Sequence, residues 1–108
     1  MKKYFYCLVL CLLLPAINTF ASDAIVVVEI KNFKFSPQQI TIKPGTTIHW
    51  INREKRQYHS VWFESSGEPE PDYFFPDESF YKTFNQTGTY PYRCGPHPKM
   101  TGVVKVAN

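Results

Sequence analysis

One short run near the C-terminal end could do chemistry: Tyr92-Arg93-Cys94-Gly95-Pro96-His97-Pro98-Lys99-Met100. It sets a thiolate, an imidazole and a thioether at C-x-x-H-x-x-M spacing. Gly95, Pro96 and Pro98 make the connection tight and stiff, so the three side chains can converge without helix geometry. A second imidazole, His59, opens the strand-like run His59-Ser60-Val61-Trp62-Phe63. Two His, one Cys and a weakly bound Met form the ligand set that suits copper in an electron-transfer site. A Met in fourth place argues against zinc as the native metal.

These residues need strands to hold them. Ala24–Ile30 is β-branched and nearly continuous, and Phe33 and Phe35 alternate with polar residues until Ser36-Pro37 breaks the run. Gln39–Lys43 alternates, Pro44-Gly45 turns, and Thr47–Ile51 alternates again. His59–Phe63 reads as a further strand, Glu64–Glu78 as a long loop, and Ser79–Phe84, Thr89–Arg93 and Gly102–Ala107 as the last strands. No ten-residue window after the first 21 residues has helical periodicity. The expectation is an all-β Greek-key sandwich of about seven to eight strands. Two histidines compete for the remaining ligand position. His49 lies between Ile48 and Trp50 in a strand and must face away from them, toward solvent. His59 lies where a loop feeds a strand, and is the favoured ligand.

The chain has 108 residues and a formal net charge of +3. Lys2 and Lys3, the apolar run Tyr4–Pro15 and the small Ala21 before Ser22 read as a cleaved signal peptide over residues 1–21. Its apolar core is too short to span a bilayer comfortably. The remaining 87 residues (108 − 21) make one small domain, residues 22–108, expected to be periplasmic, monomeric and without a membrane anchor. Cys7 and Cys11 leave with the leader, so Cys94 is the only Cys and Met100 the only Met that stay. No internal disulfide can form, and an exported lone thiol needs the protection that metal ligation provides. After cleavage 10 basic residues face 9 acidic ones, which gives no basis for nucleic-acid binding. No Ser/His/Asp arrangement and no carboxylate pair beside a His supports hydrolytic chemistry. The acidic run Glu64, Glu68, Glu70 and Asp72 leaves two readings open, a solvated loop and a docking surface for a basic partner.

Trp50-Ile51-Asn52-Arg53-Glu54, then His59-x-Val61, and above all Phe84–Val104 with its Cys94, His97 and Met100 resemble the cupredoxins, the small blue (type 1) copper proteins. Within them the chain is most similar to the amicyanin and plastocyanin group, from about Ile25 to Val106. The resemblance implies one copper ion on His59, Cys94 and His97 with Met100 as weak axial ligand. It implies single-electron shuttling rather than enzymatic turnover, with His97 as the electron's exit through an apolar patch that Pro96 and Pro98 would help form. Donor and acceptor redox proteins, of cytochrome or dehydrogenase type, would dock there. A copper-delivery or storage protein on the same fold is the alternative. Two departures stand out. Ser60 occupies the place after the first ligand His, where the family usually has an Asn that ties the two ligand loops together. The stretch before His59 is also one residue longer than in amicyanin.

Overall fold

The computed structural model describes residues 24–108, and the leader expected over residues 1–21 lies outside the described residues. Seven strands follow in order: β1 (Ile25–Lys31), β2 (Lys34–Ser36), β3 (Gln39–Ile42), β4 (Thr46–Asn52), β5 (Ser79–Phe84), β6 (Gly88–Arg93) and β7 (Thr101–Val106). They form two sheets, β2-β1-β4-β5 and β3-β7-β6. β1 runs parallel to β4, and β3 parallel to β7; the other pairs are antiparallel. The chain thus leaves β2 for the second sheet at β3 and returns to lie beside β1 as β4, giving the expected all-β sandwich.

Period-two alternation decides which side chains enter the core. In β4, Thr46, Ile48, Trp50 and Asn52 are buried while Thr47, His49 and Ile51 are only half-buried on the outer face. Trp50 sits at the centre, with its ring edge-on to Phe63 and Tyr92 (6.2 and 5.5 Å between centroids) and its Nε1–H donated to the Tyr92 hydroxyl at 3.2 Å. Each such buried ring contributes on the order of 2 kcal/mol or more of transfer free energy. Tyr92 pairs across strands with Gly102, and its ring covers the place where a side chain on Gly102 would stand. The strand pairing ends at Arg93 with Thr101, so the Cys94–Met100 loop leaves one strand and rejoins its neighbour.

Two local expectations differ from the structure. Phe33 is in a turn between β1 and β2 rather than in a strand; Asn32 and Phe33 have φ of 55° and 60°, and Phe33 is exposed. His59–Phe63 is not a strand of either sheet. It makes two isolated bridges, His59 with Phe74 and Trp62 with Arg93. β-Branched and aromatic composition alone cannot supply a continuous neighbour, and here the flanking partners change after two residues. The Glu64–Glu78 segment is a loop as expected, opening with a 3-10 turn over Glu64–Ser66.

Candidate metal centre

His59 reaches the site because buried Asn52, at the end of β4, organises the chain that follows. Its Nδ2 donates to the carbonyls of Gln57 (2.9 Å) and Phe74 (3.1 Å), and its Oδ1 accepts the Glu54 N–H (2.9 Å). Reciprocal backbone bonds to Phe74, 3.1 and 2.9 Å, then pin His59 itself. On the other side, the Cys94 N–H donates to the Met100 carbonyl and the Met100 N–H to the His97 carbonyl, both at 2.9 Å. These two bonds close the ligand loop on itself. Arg93 braces it from behind: its guanidinium grips the Glu64 carboxylate at 3.0 Å, stacks over the Trp62 ring and donates to the Gly95 carbonyl at 3.3 Å.

The ligand atoms of His59, Cys94 and His97 all lie within 4.8 Å of one another. Each imidazole turns its Nδ1 toward the Cys94 sulfur, at 3.5 Å in both cases. Bonds of about 2.0–2.3 Å from one ion to nitrogen and sulfur place those atoms roughly 3.5–3.8 Å apart. The three donors therefore fit a single metal ion. His59 and Cys94 are fully buried, whereas His97 is half-exposed. Met100 is buried at 5% exposure and closes the same loop, next to the trio. His49 is elsewhere, stacked on Tyr81 on the outer face with its Nε2 2.7 Å from the Ser79 hydroxyl. Among the described residues no other group of His, Cys and acids is placed to hold a metal.

The surroundings favour a metal-bound form. Burial pushes the Cys94 thiol up, against the N–H groups of Ser60 and His97, the Ser60 hydroxyl and the Arg93 charge, which pull it down. A cation bound there would supply the missing compensation and favour the thiolate of Cys94. Burial lowers His59, with the Glu54 carboxylate pulling the other way, so the imidazole is kept neutral and ready to coordinate. The Ser60 N–H points at the sulfur from 3.4 Å, and the Ser60 hydroxyl accepts the Gly95 N–H at 2.8 Å. The short side chain at this position therefore does span the two ligand loops. It can do so because Gly95, lacking a Cβ, lies directly against Ser60 and the Glu70 carboxylate.

Sequence reasoning assigned no role to Glu54. Its side chain, 8% exposed, meets His59 Nε2 at 2.9 Å and accepts the N–H groups of Asn32 and Phe33, each at 2.9 Å. Burial alone would raise the carboxyl, but these hydrogen bonds outweigh it and hold it below its ordinary value. One carboxylate thus fixes the tautomer and orientation of a ligand imidazole and the left-handed turn at Phe33, a conformation costing on the order of 1–3 kcal/mol for a bulky residue. That turn sets the Phe33 ring edge-on to both His59 and His97, at 5.6 and 4.9 Å. In the sequence Glu54 is marked only by its place at the end of the Trp50–Glu54 run and five residues before a ligand His, neither of which reveals its contacts.

Known proteins are similar to this chain in sequence and fold. Residues 22–107 match the family model for copper binding proteins of the plastocyanin/azurin family. The chain is 35% identical over 101 residues to amicyanin of Paracoccus denitrificans, covering 86% of this chain and 76% of that protein. It is 37% identical over 83 residues to amicyanin-alpha of Methylorubrum extorquens, covering 73% and 69%. The crystal structure of amicyanin from Paracoccus versutus superposes with a TM-score of 0.69 at 33% identity, covering 82% of this chain and 86% of that one. The chain belongs to the plastocyanin/azurin family of copper binding proteins and is a blue copper electron-transfer protein.

Proposed function

We propose that this chain is an exported, periplasmic one-electron carrier that holds a single copper ion on His59, Cys94, His97 and Met100 and exchanges electrons with redox proteins at His97. The convergence of two Nδ1 atoms on one buried sulfur, each at 3.5 Å, carries this reading. Copper bound by two imidazoles, a thiolate and a weak thioether supplies a one-electron couple with little change of geometry. The protein's part is rigidity. Glu54 fixes His59, Ser60 ties its loop to Gly95, and the Cys94–Met100 backbone bonds hold the other donors in place. His97 is the half-exposed ligand, and it shares a surface groove with Phe33, Pro96 and Pro98, which suits brief apolar encounters. Among the described residues no helix is long and apolar enough to cross a membrane.

Addition of copper(II) to the purified protein tests the assignment. Intense visible absorption from a copper–thiolate bond is expected, lost in Cys94→Ser and His59→Ala and kept in His49→Ala. Met100→Leu should stay coloured and show a raised reduction potential, because loss of a weak donor destabilises the oxidised ion more. A blue Cys94→Ser protein would refute the site. Expression in a Gram-negative host should yield a periplasmic chain beginning at Ser22, and an unprocessed cytoplasmic chain would refute export.

A further inference from the structure

The ion pairs divide the surface charge unevenly. Among the described residues Arg53 pairs with Glu29 and Asp77, Lys82 with Glu68, and Arg93 with Glu64, at 3.0–3.9 Å. Glu54 is taken by His59, and Glu70 accepts the Tyr73 hydroxyl at 3.1 Å. Three of the four acids in the run expected as a possible docking surface are therefore engaged by their own chain, which speaks against a basic partner there. Among the described residues Lys31, Lys34 and Lys99 make no ion pair of their own. Lys99, two residues after His97, lines the apolar groove with His97, Phe33, Pro96, Pro98 and Met100. Lys34 and Lys99 line the adjoining groove, which shares Phe33 and Met100. Lys31 stands directly across from Lys34 at the end of the β1–β2 pair. Like charges in that position cost stability, and neither has a carboxylate of the described residues within ion-pair reach.

We propose that Lys31, Lys34 and Lys99 form a basic rim on the Phe33 side of the His97 surface, and that this rim receives an electron-transfer protein whose own cofactor edge is surrounded by carboxylates. The proposal rests on the electron-carrier reading above and names the partner's chemistry. A rim of three cations with an apolar centre matches a protein face of inverse charge, which steers encounter and sets orientation. An anionic membrane is the poorer fit, since polybasic membrane-binding segments typically carry about four to eight cations.

Stopped-flow oxidation of the reduced, copper-loaded protein by hexacyanoferrate(III) tests the rim; one electron passes to iron(III), giving iron(II). The rate should fall as salt is added. Lys34→Gln/Lys99→Gln should slow it about fivefold at low ionic strength. Lys43→Gln/Lys105→Gln makes the same change of charge at the opposite end of β3 and β7, and should slow it less than twofold. With tris(1,10-phenanthroline)cobalt(III), a cation, the Lys34/Lys99 variant should be the faster protein. Equal effects of the two charge pairs, or a hexacyanoferrate rate indifferent to salt, would overturn the rim. Failure of the wild-type protein to reduce either oxidant would overturn the carrier reading and this proposal with it. Cosedimentation with equimolar phosphatidylcholine–phosphatidylserine vesicles would overturn the choice of a protein partner.

Discussion

Glu54→Gln is the most informative single change, because it alters charge and donor count while keeping shape. The carboxylate accepts three N–H groups: Asn32 on one oxygen, Phe33 and His59 on the other, each at 2.9 Å. An amide has one oxygen. Its better orientation gives that oxygen to Phe33 and His59 and turns the NH2 toward the Asn32 N–H, leaving a donor unmet at about 1–3 kcal/mol. The two surviving bonds become neutral and lose about half their strength, on the order of 1 kcal/mol each. A neutral amide is easier to bury than a carboxylate, which offsets part of this, so the net loss should be about 3 kcal/mol. For a domain of this size that is roughly 12–24 °C in Tm. Copper affinity should fall about 10–100-fold, as for other partners that orient a ligand imidazole. The acid limb should change too. Glu54 is held below its ordinary value of 4.5, so on acidification the unfolded chain takes the proton first and stability falls as pH drops below that value. Urea denaturation of the metal-free protein across pH, with competitive copper titration, reads all three effects. A variant within about 0.5 kcal/mol of wild type with unchanged copper affinity would refute the positioning role.

Ser60→Ala should cost about 1–2 kcal/mol by leaving the Gly95 N–H without its acceptor, and should shift the visible band because the two ligand loops lose their tie; an unchanged spectrum and stability would show the link is dispensable. Gly102→Ala should destabilise by about 1–3 kcal/mol, since its methyl would collide with a Tyr92 ring that is buried and held by Trp50; thermal denaturation checks this. Burial pushes the Tyr92 hydroxyl up to about 12, against the Trp50 N–H, which pulls it down. Between about pH 10 and 12 the unfolded chain therefore loses the proton first, and stability should fall as pH rises through that window. Tyr92→Phe should flatten this alkaline limb, at a cost of about 1 kcal/mol at neutral pH from the unmet Trp50 donor.

Local order was legible because it is written locally. The C-x-x-H-x-x-M run, stiffened by Gly95, Pro96 and Pro98, carries three candidate donors within seven residues, and alternation in β4 sends Trp50 inward and His49 outward whatever the rest of the chain does. What spans the fold was not legible. Phe33 reads as a strand residue, yet a carboxylate 21 positions away holds it in a left-handed turn over both imidazoles. The sequence leaves open whether the shorter Ser60 reaches the other ligand loop, and the bare Gly95 backbone, 35 positions on, comes to it. The acidic run reads as free charge until sheet packing brings Arg93 and Lys82 against Glu64 and Glu68. Periodicity encodes which face of a strand is apolar, because that depends only on the next residue but one. Which buried polar group meets which partner depends on how the two sheets close, and desolvation makes the outcome nearly obligatory once they have.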